Sequence, residues 1–160
     1  MQEFENRQAL EIVLSNRIAS IVKQNLLRKE RVSLLFSGGN TPKGLLNRLA
    51  TMPFEWHRLC IGLVDDRMVP ADSPYSNTAL IKNELLAHIP AIESLPLFLP
   101  LVTTDDDFEK NLQALEANIN QLGNIDILLC SPEQLVPSIG KISLMEIAMR
   151  LKGDCQGKPF

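Results

Sequence analysis

Short apolar runs alternate with amphipathic segments along most of the chain. Three nearly continuous apolar runs are RVSLLF (31–36), LCIGLVD (59–65) and IDILLC (125–130), a pattern typical of strands covered on both faces. Helical spacing is found at about 3–29, 42–50, 76–89 and 104–123. SLPLFLPL (94–101) is also apolar, but its prolines weaken the case for a strand. The alternation predicts an α/β domain with a doubly wound, mostly parallel sheet.

Several residues mark where these helices begin and end. Thr41 is the predicted N-cap of the second helix, with Pro42 at its first position. Thr104 can cap the last helix, the acidic run at 105–107 complements its dipole, and Gly123 ends it. The apolar stripe of that helix consists of Phe108, Leu112, Leu115, Ile119 and Leu122.

The C-terminal part of the chain differs from the rest. We expect residues 1–130 to form the α/β domain and residues 131–160 to be a divergent or truncated tail of the same domain. KISLMEIAMRLKG (141–153) has the spacing of one helix. No strand is evident to pair beside IDILLC, so the expected fold is incomplete at this side.

Composition excludes several classes of function. A net charge of -3 over 160 residues argues against nonspecific nucleic-acid binding, but a local positive field could still hold a small anion. The three cysteines have no zinc spacing and indicate free thiols. No apolar run approaches the roughly 20 residues of a membrane span, and no signal peptide is evident, so the expected location is cytoplasmic. The acidic run at 105–107 fits a helix start better than a metal site.

A glycine-rich loop follows the first apolar run. Gly38 and Gly39 permit unusual backbone conformations, and the next helix begins at once. Such a loop can hold a phosphate on backbone N–H groups. Additional contacts are predicted from Ser37, Asn40, Thr41 and Lys43. The spacing matches neither a nucleotide P-loop nor G-x-G-x-x-G, so a phosphate monoester fits better than a dinucleotide. The alternative is a tight turn with a capped helix.

An acidic turn follows the second apolar run. Arg67 can clamp a phosphate or orient a carboxylate, and Asp65 or Asp66 could transfer a proton or bind a sugar hydroxyl. The alternative is a salt-bridged turn before a helix capped near Ser76 or Asn77. Because parallel strands end at one edge of a sheet, the loop and Arg67 are predicted to converge there.

These motifs, in this order, resemble the 6-phosphogluconolactonases of the sugar-phosphate isomerase and lactonase group. The matching segments are FSGGNTPKGLLNRLA (36–50), Trp56, GLVDDRMVPADSPYSN (62–77) and IDILL (125–129). Asn40 replaces the family's usual Ser or Thr, and Asp66 replaces its usual Glu. Arg67 favours a lactonase over the related glucosamine-6-phosphate deaminases. The resemblance implies a Rossmann-like fold, no metal or organic cofactor, and hydrolysis of 6-phosphogluconolactone to 6-phosphogluconate in the oxidative pentose phosphate pathway.

One segment that the resemblance implies is not recognisable. The family supplies its general base from a Gly-His segment after the strand matching IDILL, whereas this chain continues CSPEQLVPSIG. His57 and His88 do not match that segment and are predicted to be structural or exposed. Three hypotheses remain open: an impaired lactonase, a non-catalytic sugar-phosphate-binding module, or a non-functional product of a truncated or shifted frame.

Overall fold

Strands and helices alternate along the described part of the chain. The computed structural model describes residues 2–39, 41–90, 95–102, 108–129 and 149–151. The strands are β1 (Gln2–Phe4), β2 (Val32–Phe36), β3 (Leu59–Leu63), β4 (Leu97–Leu99), β5 (Ile127–Leu129) and β6 (Met149–Leu151). The α-helices are α1 (Arg7–Leu26), α2 (Lys43–Ala50), α3 (Asn77–Glu84) and α4 (Phe108–Leu122), with 3-10 turns at Trp56–Arg58 and Leu86–His88.

The central sheet has four parallel strands in the order β4-β3-β2-β5. Leu34 lies opposite Ile61 on β3 and opposite Ile127 on β5. The chain moves from β2 to β3 and β4 on one side, then returns to place β5 on the other. The strand order therefore reverses between β2 and β5, and ligands of such sheets bind beyond the carboxyl ends at this reversal. The predicted α/β fold with a parallel sheet is confirmed.

Helices pack against both faces of this sheet. Val32, Leu34 and Phe36 belong to a buried cluster with side chains of α1, α2 and α3. On the other face, Ser33 Oγ donates to the Leu122 carbonyl of α4 at 2.7 Å. A Cβ added to Gly62 would lie 3.5 Å from Leu122 Cδ1. Because both faces are covered, β2 and β3 are buried along their whole length, as the apolar runs predict.

Arg58 fastens the end of α1 to the start of β3. Its Nη2 donates to the carbonyls of Leu26 and Lys29 at 3.0 and 2.8 Å, and its Nε donates to the Glu30 carbonyl at 3.0 Å. Carbonyls at a helix C-terminus lack intrahelical donors. One guanidinium thus supplies donors to three carbonyls around this end of α1.

Several predicted elements differ from the structure. Residues 2–4 form β1, which pairs in parallel with β6, so the helix predicted from about residue 3 begins only at Arg7. The helix predicted over 141–153 is wrong at Met149–Leu151, where β6 lies. Leu97–Leu99 is a strand despite the flanking prolines, because neither proline falls inside it. Strand pairing between distant segments overrides local spacing in each case.

Two details of the helices also differ. The N-cap of α2 is Pro42 rather than Thr41, and it makes no side-chain capping bond. The predicted stripe of α4 is only partly buried: Leu112 and Ile119 are 40% and 54% exposed, whereas Asn111 is 6% exposed. Asn111 is buried because its Nδ2 donates to the Leu101 carbonyl at 3.2 Å. The predicted end of α4 at Gly123 is confirmed by a φ of 65°.

Some predictions fall on residues outside the described ranges. They concern Asn40, the cap at Thr104, the acidic run 105–107, the thiols of Cys130 and Cys155, and all of the tail except 149–151. Within the described residues, no helix combines the length and apolarity needed to cross a membrane.

Candidate functional site

Two loops leave the sheet side by side at the carboxyl ends of β2 and β3, and β2 is one of the two strands at the reversal of strand order. Ser37 follows β2, and its N–H donates to the Leu129 carbonyl of β5 at 2.8 Å. Val64 follows β3, and its N–H donates to the Phe36 carbonyl at 2.9 Å. These bonds continue the pairing of the strands by one residue, so the glycine loop and the acidic turn begin from adjacent, fixed positions.

The glycine loop bends sharply and touches the acidic turn. Gly39 has a φ of 92°, in the left-handed region that favours glycine. Ser37 is buried, and its Oγ donates to Asp65 Oδ1 at 3.2 Å. The serine thus joins the end of β2 to the carboxylate that follows β3.

Asp66 holds the amino end of α3. Its Oδ1 accepts from the N–H of Asn77 at 2.7 Å and from the N–H of Arg67 at 2.9 Å. Its Oδ2 accepts from the N–H and Oγ1 of Thr78 at 3.1 and 2.9 Å, and from Ser76 Oγ at 3.4 Å. A carboxylate at this place satisfies helix N–H groups and favours the helix dipole. Ser76 is the N-cap of α3, as predicted for this region.

Arg67 lies beside the same helix start. Its Nη1 donates to the Tyr75 carbonyl at 2.9 Å and to Asn77 Oδ1 at 3.4 Å. The residue is exposed as a whole, and its side chain is held at one nitrogen. A planar fork held in this way is suited to binding an anion.

The outer side of the glycine loop meets α1. Arg7 donates from Nη2 to the Thr41 carbonyl and from Nε to Glu11 Oε1 at 3.0 Å. A Cβ added to Gly44 would lie 2.3 Å from Glu11 Oε1, so Glu11 packs directly over the start of α2. Lys43 Nζ lies 3.8 Å from Glu84 Oε1; the lysine is exposed and the glutamate half-buried, so this long ion pair contributes little to stability.

The structure brings together part of the predicted site. Gly38, Asp65 and Arg67 contact the side chain of Asn77, and Ser37 joins them through its hydrogen bond to Asp65. Asn77 was predicted as a possible helix cap and ends a segment that matches the family, but it was not among the predicted site residues. Lys43 instead contacts Glu84, and Asn40 lies outside the described residues. The signal for Asn77 was its place directly after Ser76 at a helix start, eleven residues after Asp66.

Neither histidine of the chain lies at this site. His57 precedes the amino end of β3, and His88 follows the carboxyl end of α3. The site lies at the carboxyl ends of the strands and the amino end of α3. Both histidines are exposed, as predicted. Cys60 is a free, buried thiol; burial raises its pKa, and the charge of Arg31 opposes that shift.

Comparison with known proteins identifies the family. The family model described as glucosamine-6-phosphate isomerases/6-phosphogluconolactonase matches residues 5–132. The chain belongs to this family. A 6-phosphogluconolactonase of Xylella fastidiosa (strain 9a5c) is 37% identical over 87 residues, which cover 54% of this chain and 36% of the relative.

Solved structures agree with this assignment. The 6-phosphogluconolactonase of Thermotoga maritima superposes with a TM-score of 0.70 at 25% identity, covering 79% of this chain and 56% of that protein. The Shewanella baltica enzyme of the same name gives 0.66 at 30% identity, covering 74% and 50%. The chain therefore spans between about a third and just over a half of the length of these three relatives, and its fold corresponds to that part of them.

Proposed function

We propose that this domain binds a phosphorylated sugar lactone and hydrolyses 6-phosphogluconolactone to 6-phosphogluconate. Family membership and the names of the relatives support this activity. The observation that carries the proposal is the meeting of two segments at Asn77. Gly38 of the glycine loop and Asp65 and Arg67 of the acidic turn all contact its side chain, so an anion-binding loop, a cation and a carboxylate face one location.

The phosphate would lie between the glycine loop and Arg67. The first turn of α2 presents backbone N–H groups toward the loop, and the left-handed Gly39 brings the backbone close to a ligand. Arg67 adds a positive charge from the other strand end. The lactone ring would then extend over the acidic turn. Water would attack its carbonyl carbon, and the ring oxygen would leave as the hydroxyl of the product.

Asp65 is the better candidate of the two carboxylates for accepting the proton of that water. Asp66 accepts five hydrogen bonds from the start of α3 and its own turn, so its oxygens are committed to structure. Asp65 accepts one bond on each oxygen, from Ser37 at 3.2 Å and from Asn77 at 3.3 Å. A carboxylate oxygen has room for a second donor, such as water.

The test is hydrolysis of 6-phosphogluconolactone in a coupled assay corrected for spontaneous ring opening. We expect turnover about 10²–10⁴-fold below that of the Thermotoga maritima enzyme, because neither histidine lies at the site to act as general base. Asp65→Asn should lower the remaining kcat at least about tenfold. Asp72→Asn, which changes an exposed carboxylate of the following loop, is the matched control. Unchanged turnover in Asp65→Asn would show that another group accepts the proton.

A second candidate is a sugar-phosphate-binding module without catalysis. The observation that favours it is the placement of both histidines away from the strand ends that hold the glycine loop. Calorimetry with 6-phosphogluconate separates the two functions. Binding that weakens in Arg67→Ala, together with no hydrolysis above the spontaneous rate, would support the binding module. Hydrolysis that is lost in the same variant would support the lactonase.

A further inference from the structure

The side chain of Asn77 lies at the centre of the candidate site. It is 2% exposed and is the first residue of α3. Its Nδ2 donates to the Asp65 carbonyl at 2.8 Å and to Asp65 Oδ2 at 3.3 Å. Its Oδ1 accepts from Arg67 Nη1 at 3.4 Å. One planar amide therefore connects the carboxylate to the guanidinium.

Both ends of this amide are required in the observed orientation. Arg67 has only donors, so an acceptor must face it, while the Asp65 carbonyl and carboxylate need a donor. Asparagine supplies one of each across a rigid plane. Alanine supplies neither. If Oδ1 and Nδ2 exchanged places, a donor would face the Arg67 donor and an acceptor would face the Asp65 oxygens.

The same amide packs directly on the glycine loop. A Cβ added to Gly38 would lie 1.8 Å from Asn77 Oδ1, 2.1 Å from Cγ and 2.2 Å from Nδ2. All three separations are far below van der Waals contact. Since Gly38 is not among the described glycines with positive φ, its lack of a side chain is explained by this close approach and not by its backbone conformation. The position of the loop is thus set by Asn77.

We propose that Asn77 is a positioning residue that fixes the separation between the glycine loop, Asp65 and Arg67 for a phosphorylated ligand. This inference rests on the proposed function, and it adds a role for a residue outside the glycine loop and the acidic turn. Asn77 acts through its neighbours: it aims Arg67 at the phosphate and holds Asp65 beside the loop.

The experiment is a double-mutant cycle between positions 38 and 77 in the full chain. Asn77→Ala should raise the KM for the lactone and the Kd for 6-phosphogluconate about tenfold, because Arg67 keeps only the Tyr75 carbonyl of its two acceptors and Asp65 loses the amide donor. A merely structural role would lower the active fraction and leave KM unchanged. Asn118→Ala is the control. Asn118 lies on α4, away from the site, and its Nδ2 donates to the Pro100 carbonyl at 2.8 Å.

Two further variants complete the cycle: the single variant Gly38→Ala and the double variant Gly38→Ala/Asn77→Ala. Alone, Gly38→Ala should raise the Kd at least about tenfold, because the new methyl group collides with the amide. In the Asn77→Ala background the three nearest atoms are gone, so the further increase should stay below about threefold. Equal factors in both backgrounds, or an unchanged KM in Asn77→Ala, would overturn the inference.

Failure of the proposed function can be told apart from failure of the inference about Asn77. If the wild-type chain neither binds 6-phosphogluconate nor hydrolyses the lactone, the proposed function is wrong. The inference is then decided without a ligand, by the Nε–Hε signal of Arg67 in nuclear magnetic resonance spectra. A shift or broadening in Asn77→Ala but not in Asn118→Ala supports it, and an unchanged signal refutes it.

Discussion

Removal of the Asp66 carboxylate should destabilise the domain through α3. In Asp66→Ala, the N–H groups of Asn77 and Thr78 and the Thr78 hydroxyl lose an acceptor at 2.7–3.1 Å. Loss of a capping side chain costs about 0.5–2 kcal/mol, and a hydrogen bond to a charged group contributes about 1.5–3 kcal/mol. These effects overlap, and water can reach a half-buried site. We therefore expect a loss of about 2–4 kcal/mol in the free energy of unfolding.

Urea unfolding followed by circular dichroism measures this loss. With a slope of about 2 kcal/mol/M, the midpoint should fall by about 1–2 M. Asp66→Asn keeps one acceptor oxygen and should lose about half as much, while Asp72→Ala, in the exposed part of the same loop, should stay within about 0.5 kcal/mol of wild type. If Asp66→Ala unfolds with the wild-type midpoint, the five hydrogen bonds do not stabilise α3 and the assignment of Asp66 to structure is wrong.

Three further predictions concern single residues. Gly39→Ala should cost about 1–2 kcal/mol through backbone strain alone, since no atom beyond the adjoining residues lies within 4 Å of the added Cβ. Thermal unfolding measures this loss. Arg58→Lys should lower the free energy of unfolding by about 1–2 kcal/mol, because one ammonium group cannot replace a guanidinium that contacts three carbonyls. An unchanged midpoint in urea unfolding would contradict this prediction. Burial raises the pKa of Cys60. Above the ordinary thiol range the unfolded state therefore releases a proton that the folded state keeps, and the free energy of unfolding should fall as pH rises. Cys60→Ala should flatten that alkaline decline in urea midpoints measured against pH.

The sequence was most informative where local pattern and burial coincide. β2 and β3 are buried on both faces, so their apolar runs predict both strands within two residues. Gly123 and Ser76 mark helix ends by local chemistry that needs no distant partner. The convergence of the glycine loop and Arg67 was predictable because parallel strands bring their carboxyl ends to one edge.

Features that depend on distant contacts were not predictable. β1 pairs with β6, a segment about as far away as the chain allows, so residues 2–4 carry no local signal of a strand. Asn111 is buried in place of Leu112 because a loop carbonyl needs its amide. The role of Asn77 depends on the glycine loop and the acidic turn meeting at the start of α3, which only its contacts with Gly38, Asp65 and Arg67 reveal.

The bond between Ser37 and β5 links the site to the strand that joins the four-stranded sheet across the longest sequence separation. β2, β3 and α3 lie within 53 consecutive positions, 32–84, and supply nearly all contacts around Asn77. β5 joins β2 from more than 90 residues away, and such long-range pairing forms late because of its loop-closure cost. Yet the Leu129 carbonyl holds the N–H of Ser37. A ligand that orders the glycine loop would therefore also retard the opening of β5, and occupancy of the site could be measured as slower amide exchange at the far edge of the sheet.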